Sequence, residues 1–215
     1  MTLPLPLRNR LADLILDALH DGEARRGLEA VAAVCADPRA LQATAPPPSF
    51  PADLFERDPD GWHIRSGYRQ HAAPFGERAA RAARALADRP LAPADPPLEI
   101  ALDQAATLFA AGLYFEVHEV LEPYWMHAEG PPRQALQGLI QAAVGYQHLA
   151  NGNLDGARAL LHEGAARLLG QHLAGRDLDV FAREVARDSR ALAAGDAETA
   201  RRFDWSHVPR FPAEA

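Results

Sequence analysis

The sequence predicts an all-α protein: an antiparallel helical bundle over residues 96–215, preceded by a mostly helical N-terminal region over residues 1–95. Three observations carry this reading. Apolar residues recur at helical spacing through most of the chain. Two proline-rich stretches, residues 45–51 and 89–97, interrupt that spacing, because proline lacks an amide hydrogen and restricts the residue before it. Beyond Pro97, short turns separate five helical segments, the pattern of neighbours that run antiparallel. The second proline-rich stretch is taken as the boundary between the two regions.

In order along the chain, residues 7–20 and 23–36 read as helices, the first with Leu11, Leu14, Ile15 and Leu19 on one face. Residues 61–71 suit a short strand or turn around Trp62, Ile64 and Tyr68, and residues 75–87 an alanine-rich helix. His63 and His71 have no acidic partner at helical spacing and read as loop or surface positions. In the second region, helices are expected at 98–111, 114–127, 134–150, 154–172 and 179–194, with Gly112, the EGPPR stretch and the NGN stretch as breaks. The tail FDWSHVPRF, residues 203–211, is aromatic enough to pack back across the bundle. A shift of about forty residues aligns Gly112 with Gly152 and Leu121 with Leu161, so the paired helices resemble tetratricopeptide-like helical hairpins.

Composition narrows the chemistry. The chain has no lysine, which removes lysine-based phosphate loops and Schiff-base catalysis. Its four serines sit in no GxSxG turn. Cys35 is alone, so a disulfide within the chain and a cysteine-rich zinc site are excluded, and any metal would need nitrogen and oxygen ligands. The net charge of −7 disfavours a nucleic-acid surface. No apolar run approaches the roughly 20 residues needed to cross a bilayer, and the first residues lack the features of a signal peptide. The expectation is a cytoplasmic protein with no membrane or nucleic-acid partner, acting on a small molecule or another protein and free to form a homo-oligomer.

One stretch concentrates functional residue types. In YFEVHEVLEPYW, His118 and Glu122 are four residues apart, which puts them on one side of a helix with Phe115, Leu121 and Trp125. Glu116 points nearly the opposite way, toward solvent, and Glu119 sits on a flank. Burying a carboxylate and an imidazole is costly unless they are paired or bound to a metal. On the next helix Gln137, Gln141, Val144 and His148 form one narrow stripe amid apolar residues that include Tyr146. The two stripes are expected to face and compensate each other. HEVLE is also an HExxE pattern, in which residues four apart bind a metal and the glutamate between them serves as a base. On that reading His118, Glu122 and His148 are ligands to zinc, manganese or ferrous iron, Glu119 is the general base, and Trp125, Gln137, Gln141 and Tyr146 line the substrate or support the ligands. His127, His162 and His172 read as exposed, with His162, next to Glu163, a spare ligand. The competing reading is a structural hydrogen-bond network that fixes the bundle without chemistry.

Together, G-x-Y-F-E-x-H-E-x-L-E-x-x-W, then Q-G-L-I-Q, then H-x-x-x-G-N-x-x-G-A, over roughly residues 98–170, resemble the domain of unknown function 309 family, whose members are commonly labelled predicted metal-dependent hydrolases. The family pattern falls on His118, Glu119, Glu122, Trp125, Gln137, Gln141, His148, Asn153 and Gly156. The resemblance implies an all-helical fold. Two functions follow as expectations: a metal-dependent hydrolase of a small substrate, or a non-catalytic tetratricopeptide-like binding or scaffold module.

Overall fold

The computed structural model describes residues 3–193 and 202–212, and the chain divides into two compact units, 1–95 and 96–215. The division falls in the second proline-rich stretch.

The first unit packs three helices, α1 (Leu5–Asp17), α2 (Gly22–Ala36) and α3 (Ala72–Leu86), around a small hairpin of β1 (Phe55–Asp58) and β2 (Gly61–Ile64). Asp21 starts α2 by accepting the Glu23 amide at 2.9 Å, which satisfies one of the donors a helix N-terminus leaves open. Leu11, Leu14 and Ile15 of α1, Leu28 and Val31 of α2, and Phe75 and Leu86 of α3 are buried together in its core. The expected strand or turn resolves into β2, paired antiparallel with β1 so that Phe55 lies opposite Ile64, followed by a 3-10 helix at Ser66–His71.

The second unit is a helical bundle: α4 (Leu98–Ala110), α5 (Tyr114–His127), α6 (Gly130–Ala150), α7 (Leu154–Leu168) and α8 (Asp179–Ala193). A two-residue-per-strand hairpin, β3 (His172–Leu173) with β4 (Arg176–Asp177), joins α7 to α8. Two boundaries of this unit differ by several residues from the sequence reading. Helix α6 begins four residues early, because Pro131 and Pro132 occupy its first turn, where an amide has no intrahelical partner to lose. Helix α7 stops at Leu168 rather than 172, since Gly170 takes φ of 73° and turns the chain into β3. Residue 194, the expected end of the last helix, lies outside the described residues. Helix α5 continues past Pro123 to His127.

Helices α6 and α7 approach unusually closely. A Cβ on Gly138 would lie 2.7 Å from Leu168 Cγ and 3.0 Å from the Gly164 carbonyl oxygen, and a Cβ on Gly164 would lie 2.9 Å from the Gly138 oxygen. Only residues without side chains permit this crossing.

Aromatic rings fill the other side of the core. Phe109 meets Tyr114, Tyr146 and Phe181 edge-on at 5.1, 5.6 and 5.7 Å, a favoured arrangement for aromatic quadrupoles. The tail does pack back: Phe211 lies 5.6 Å from Phe109, and Trp205 stacks on Tyr114 at 6.3 Å. Among the described residues no helix is long and apolar enough to cross a membrane.

Arg176 was not marked by any sequence pattern, yet it is 1% exposed. Its guanidinium donates to Asp103 Oδ1 at 2.7 Å and to the Pro212 carbonyl at 3.2 Å, tying α4, β4 and the C-terminal tail together. Asp103 is itself largely exposed, so losing the arginine strands carbonyl acceptors and packing rather than a buried carboxylate. Arg176→Ala is therefore expected to cost about 2 kcal/mol, within the range for removing partners of buried polar groups. Arg176→Met should recover part of that through its apolar stem. Urea denaturation of both variants measures the difference.

Candidate metal centre

Helix α5 positions the candidate site. Its buried stripe is Tyr114, Val117 and Leu121, apolar or aromatic side chains that gain from leaving water. His118 is adjacent to that stripe and its side chain is 27% exposed; Glu119 and Glu122 are 32% and 41% exposed. The expectation that His118 and Glu122 would be buried is thus corrected: at the flank of the stripe they keep much of their hydration, which costs less than full desolvation. Phe115 and Trp125 are half-buried too. The reading of Glu116 is reversed, since this carboxylate is fully buried. Periodicity identified where the residues point but not how far the surrounding elements extend over the helix.

The imidazole of His118 has a carboxylate at each nitrogen. Nδ1 lies 3.0 Å from Glu119 Oε1, and Nε2 lies 3.7 Å from Glu122 Oε1. One ligand atom from each of the three residues falls within 4.8 Å of the others. With the Nδ1 hydrogen donated to Glu119, a neutral ring turns the lone pair of Nε2 toward the Glu122 side. Lone pair and carboxylate then repel unless a second proton or a cation lies between them. A histidine whose far nitrogen is fixed by a carboxylate is the usual arrangement behind a metal-bound imidazole. One imidazole nitrogen and one carboxylate, with water in the remaining positions, suit zinc, manganese or ferrous iron.

His148 does not join this group. Asn153 caps α7 by accepting the Gly156 amide on Oδ1 at 3.0 Å, and its Nδ2 lies 2.7 Å from His148 Nδ1. With its oxygen engaged by that amide, the Asn153 amide group presents hydrogen to the ring, so a neutral His148 carries its own proton on Nε2. That leaves neither nitrogen with a lone pair for a metal. The fit is tight: a Cβ on Gly156 would be 2.6 Å from His148 Nδ1. The H-x-x-x-G-N-x-x-G pattern is the lock of the α6–α7 turn, with Gly152 at φ of 76°.

The remaining expected residues are dispersed as well. Gln141 Nε2 donates to Glu163 Oε2 at 2.9 Å, and its Oε1 accepts from Arg167 Nε at 3.0 Å, so it serves the α6–α7 contact. Gln137 is half-buried on the same helix. Tyr146 is fully buried and donates its hydroxyl to Asp188 Oδ2 on α8 at 2.8 Å. Burial, and then the charge of Asp188, push the Tyr146 phenol above its ordinary pKa, so it stays a donor. Trp125 lies under the Arg133 guanidinium at 4.5 Å, and its Nε1 is buried with no hydrogen-bond partner among the described residues. His127, His162 and His172 are exposed. Sequence reasoning missed the pairing of Glu119 with His118, although their adjacency was a signal for it, and missed Glu163 and Arg167, four apart on α7.

Asn153→Ala removes both the cap and the partner of His148. A loss of about 1 kcal/mol is expected, the usual cost of an N-cap, and thermal unfolding checks it. Gly156→Ala should cost at least as much, because its methyl group collides with the lock itself.

Comparison with known proteins places this segment. Over 80 residues the chain is 36% identical to the uncharacterized protein YpuF of Bacillus subtilis (strain 168), covering 36% of this chain and 45% of that protein. It therefore spans less than half the length of the curated relative it matches. No solved structure matches the chain. Residues 102–160, from α4 into α7, match the family described as Domain of unknown function (DUF309). The helical bundle of the second unit thus carries a DUF309 domain.

Proposed function

We propose that the DUF309 segment is a metal-dependent hydrolase of a small substrate, with its divalent metal held on α5 by His118 Nε2 and Glu122. The observation that carries this reading is the His118 imidazole flanked at both nitrogens, at 3.0 Å by Glu119 and at 3.7 Å by Glu122. Glu119 holds the Nδ1 proton and so fixes the tautomer in which Nε2 is a ligand. A bound metal would supply Lewis acidity toward a carbonyl or phosphoryl oxygen and a water of lowered pKa. The half-exposure of all three side chains leaves room for water and substrate beside them. Glu119, expected from the motif to be the base, serves here first as the partner of His118.

A second reading, the tetratricopeptide-like binding or scaffold module, is favoured by one specific observation. His148, Gln141 and Tyr146 spend their polar groups on Asn153, on Glu163 with Arg167, and on Asp188.

Elemental analysis of protein purified without chelator separates the two. A stoichiometric metal that is lost in His118→Ala and kept in His148→Ala supports the centre on α5. Glu119→Ala should weaken metal affinity by about 10–100-fold, as removal of a supporting carboxylate does. Metal-free protein that gains no affinity for zinc or manganese on titration leaves the binding module as the function.

A further inference from the structure

Helix α7 forms one wall of an open cleft of about 470 Å³ in the second unit, lined by Gln134 of α6, by His162, Glu163, Ala166 and Arg167 of α7, and by Gln171 just beyond it, a volume typical of small-molecule sites. Apart from Ala166 the lining is polar, so the cleft offers hydrogen-bonding groups and little wall for a hydrocarbon. Glu163 and Arg167 are four apart on α7, the spacing at which a carboxylate and a guanidinium ordinarily pair. Instead both bond the amide of Gln141, whose Nε2 donates to Glu163 Oε2 at 2.9 Å and whose Oε1 accepts from Arg167 Nε at 3.0 Å. Arg167 Nη1 donates to Gln134 Oε1 at 2.6 Å.

Two neutral oxygens thus fix the guanidinium without cancelling its charge, and a neutral amide does the same for the carboxylate. The α6–α7 contact leaves a remainder. Among the described residues, Arg167 Nη2, Glu163 Oε1, the His162 ring and the Gln171 amide have no hydrogen-bond partner. His162 and Glu163 are exposed and Arg167 and Gln171 half-exposed, so a solute in the cleft reaches them. Because both charged groups are already held in place, a ligand that bonds them has little ordering left to impose.

We propose that this cleft binds a free α-amino acid with a polar side chain, its carboxylate taken by Arg167 Nη2 and its ammonium by Glu163 Oε1. A single carbon carries both charges of such a molecule, which suits two opposite charges kept apart by one amide group. Guanidinium is the favoured partner of a carboxylate. A simple anion in the cleft meets the charge of Glu163, and a simple cation that of Arg167, so a zwitterion gains where either alone is opposed. His162, Gln134 and Gln171 remain for the polar side chain. The site shares no residue with the α5 cluster, and its occupant need not be the substrate handled there.

The test follows the backbone amide signals of residues 162–171 by NMR in the 15N-labelled full chain during titration. L-Glutamine and L-serine should shift these signals and saturate, and L-leucine should bind more weakly. N-Acetyl-L-glutamine, which lacks the ammonium, and L-glutaminamide, which lacks the carboxylate, should each bind roughly tenfold more weakly than L-glutamine, the loss of one hydrogen bond to a charged group. Glu163→Gln keeps an acceptor for Gln141 but removes the charge, so it should weaken L-glutamine by a similar factor and leave N-acetyl-L-glutamine unchanged. Arg167→Met should weaken L-glutamine and leave L-glutaminamide unchanged while the circular dichroism stays native. If that variant does not fold, Glu163→Gln carries the test alone. No saturable shift with L-glutamine or L-serine means that the cleft holds only water and overturns the proposal. L-Leucine binding as tightly as L-glutamine overturns the polar class, and either single-charge probe binding as tightly overturns the zwitterion. A folded variant that weakens every probe alike has only disturbed the α6–α7 contact, which overturns the assignment of the two charges.

Discussion

The close crossing of α6 and α7 is the constraint on which the second unit depends. Gly138 and Gly164 let the two backbones meet where any side chain would collide. Gly145 repeats the device seven residues on, with Leu161 in the space a Cβ would need. Such proximity gives α7 first claim on the polar groups of α6. Gln141 reaches across to Glu163 and Arg167, and His148 reaches the cap of α7. These are short, direct bonds between neighbouring helices, and they use groups that otherwise could have turned toward α5. His118 finds its partners on its own helix instead.

That outcome determines what kind of centre α5 can be. Residues at i, i+1 and i+4 on one helix have their relative positions fixed by helix geometry, not by the docking of separate elements. The donor set is therefore preorganised wherever α5 is intact, and α5 is anchored by Tyr114, Val117 and Leu121 in the core. A single helix supplies few ligands, however, so any ion there keeps open positions, the condition that distinguishes a reactive metal from a closed structural one. Half-exposure works in the same direction. It lowers the desolvation cost of two carboxylates beside one imidazole and leaves them reachable from solvent.

Helical spacing and turn residues made most of the fold legible. Helix α5 begins and ends where the pattern placed it, and the aromatic tail packs on Phe109 and Tyr114 as its composition suggested. The failures have local causes. Pro131 and Pro132 looked like a turn because proline ends a helix from within, but at the first turn proline begins one. At the site, the stripe Gln137–Gln141–Val144–His148 was real, but α6 has neighbours on more than one side, and spacing along one helix does not say which neighbour a stripe faces. Arg176 shows the same limit from another direction. Its partners lie 73 and 36 residues away in the chain, so nothing local distinguishes it from a surface arginine.

The separation of His118 from His148 also changes how the sequence motifs should be weighed. In the sequence, HExxE and H-x-x-x-G-N-x-x-G read as two halves of one ligand set, since each contributes a histidine to a predicted bundle interior. In the structure they have two physical jobs. The second is explained completely by turn mechanics: Gly152 takes the left-handed conformation, Asn153 caps α7, His148 holds the cap, and Gly156 makes way for the ring. No ligand is needed to account for any of those residue types. The first motif is different, because no feature of packing requires an imidazole between two half-exposed carboxylates. Phe115 and Trp125 show that α5 tolerates apolar side chains at comparable burial on the same flank, so an apolar residue at position 118 would pack without leaving Nε2 opposite a carboxylate. Within the DUF309 segment, His118, Glu119 and Glu122 are therefore the polar cluster that packing leaves unexplained, while the α6–α7 turn accounts for His148, Asn153 and Gly156.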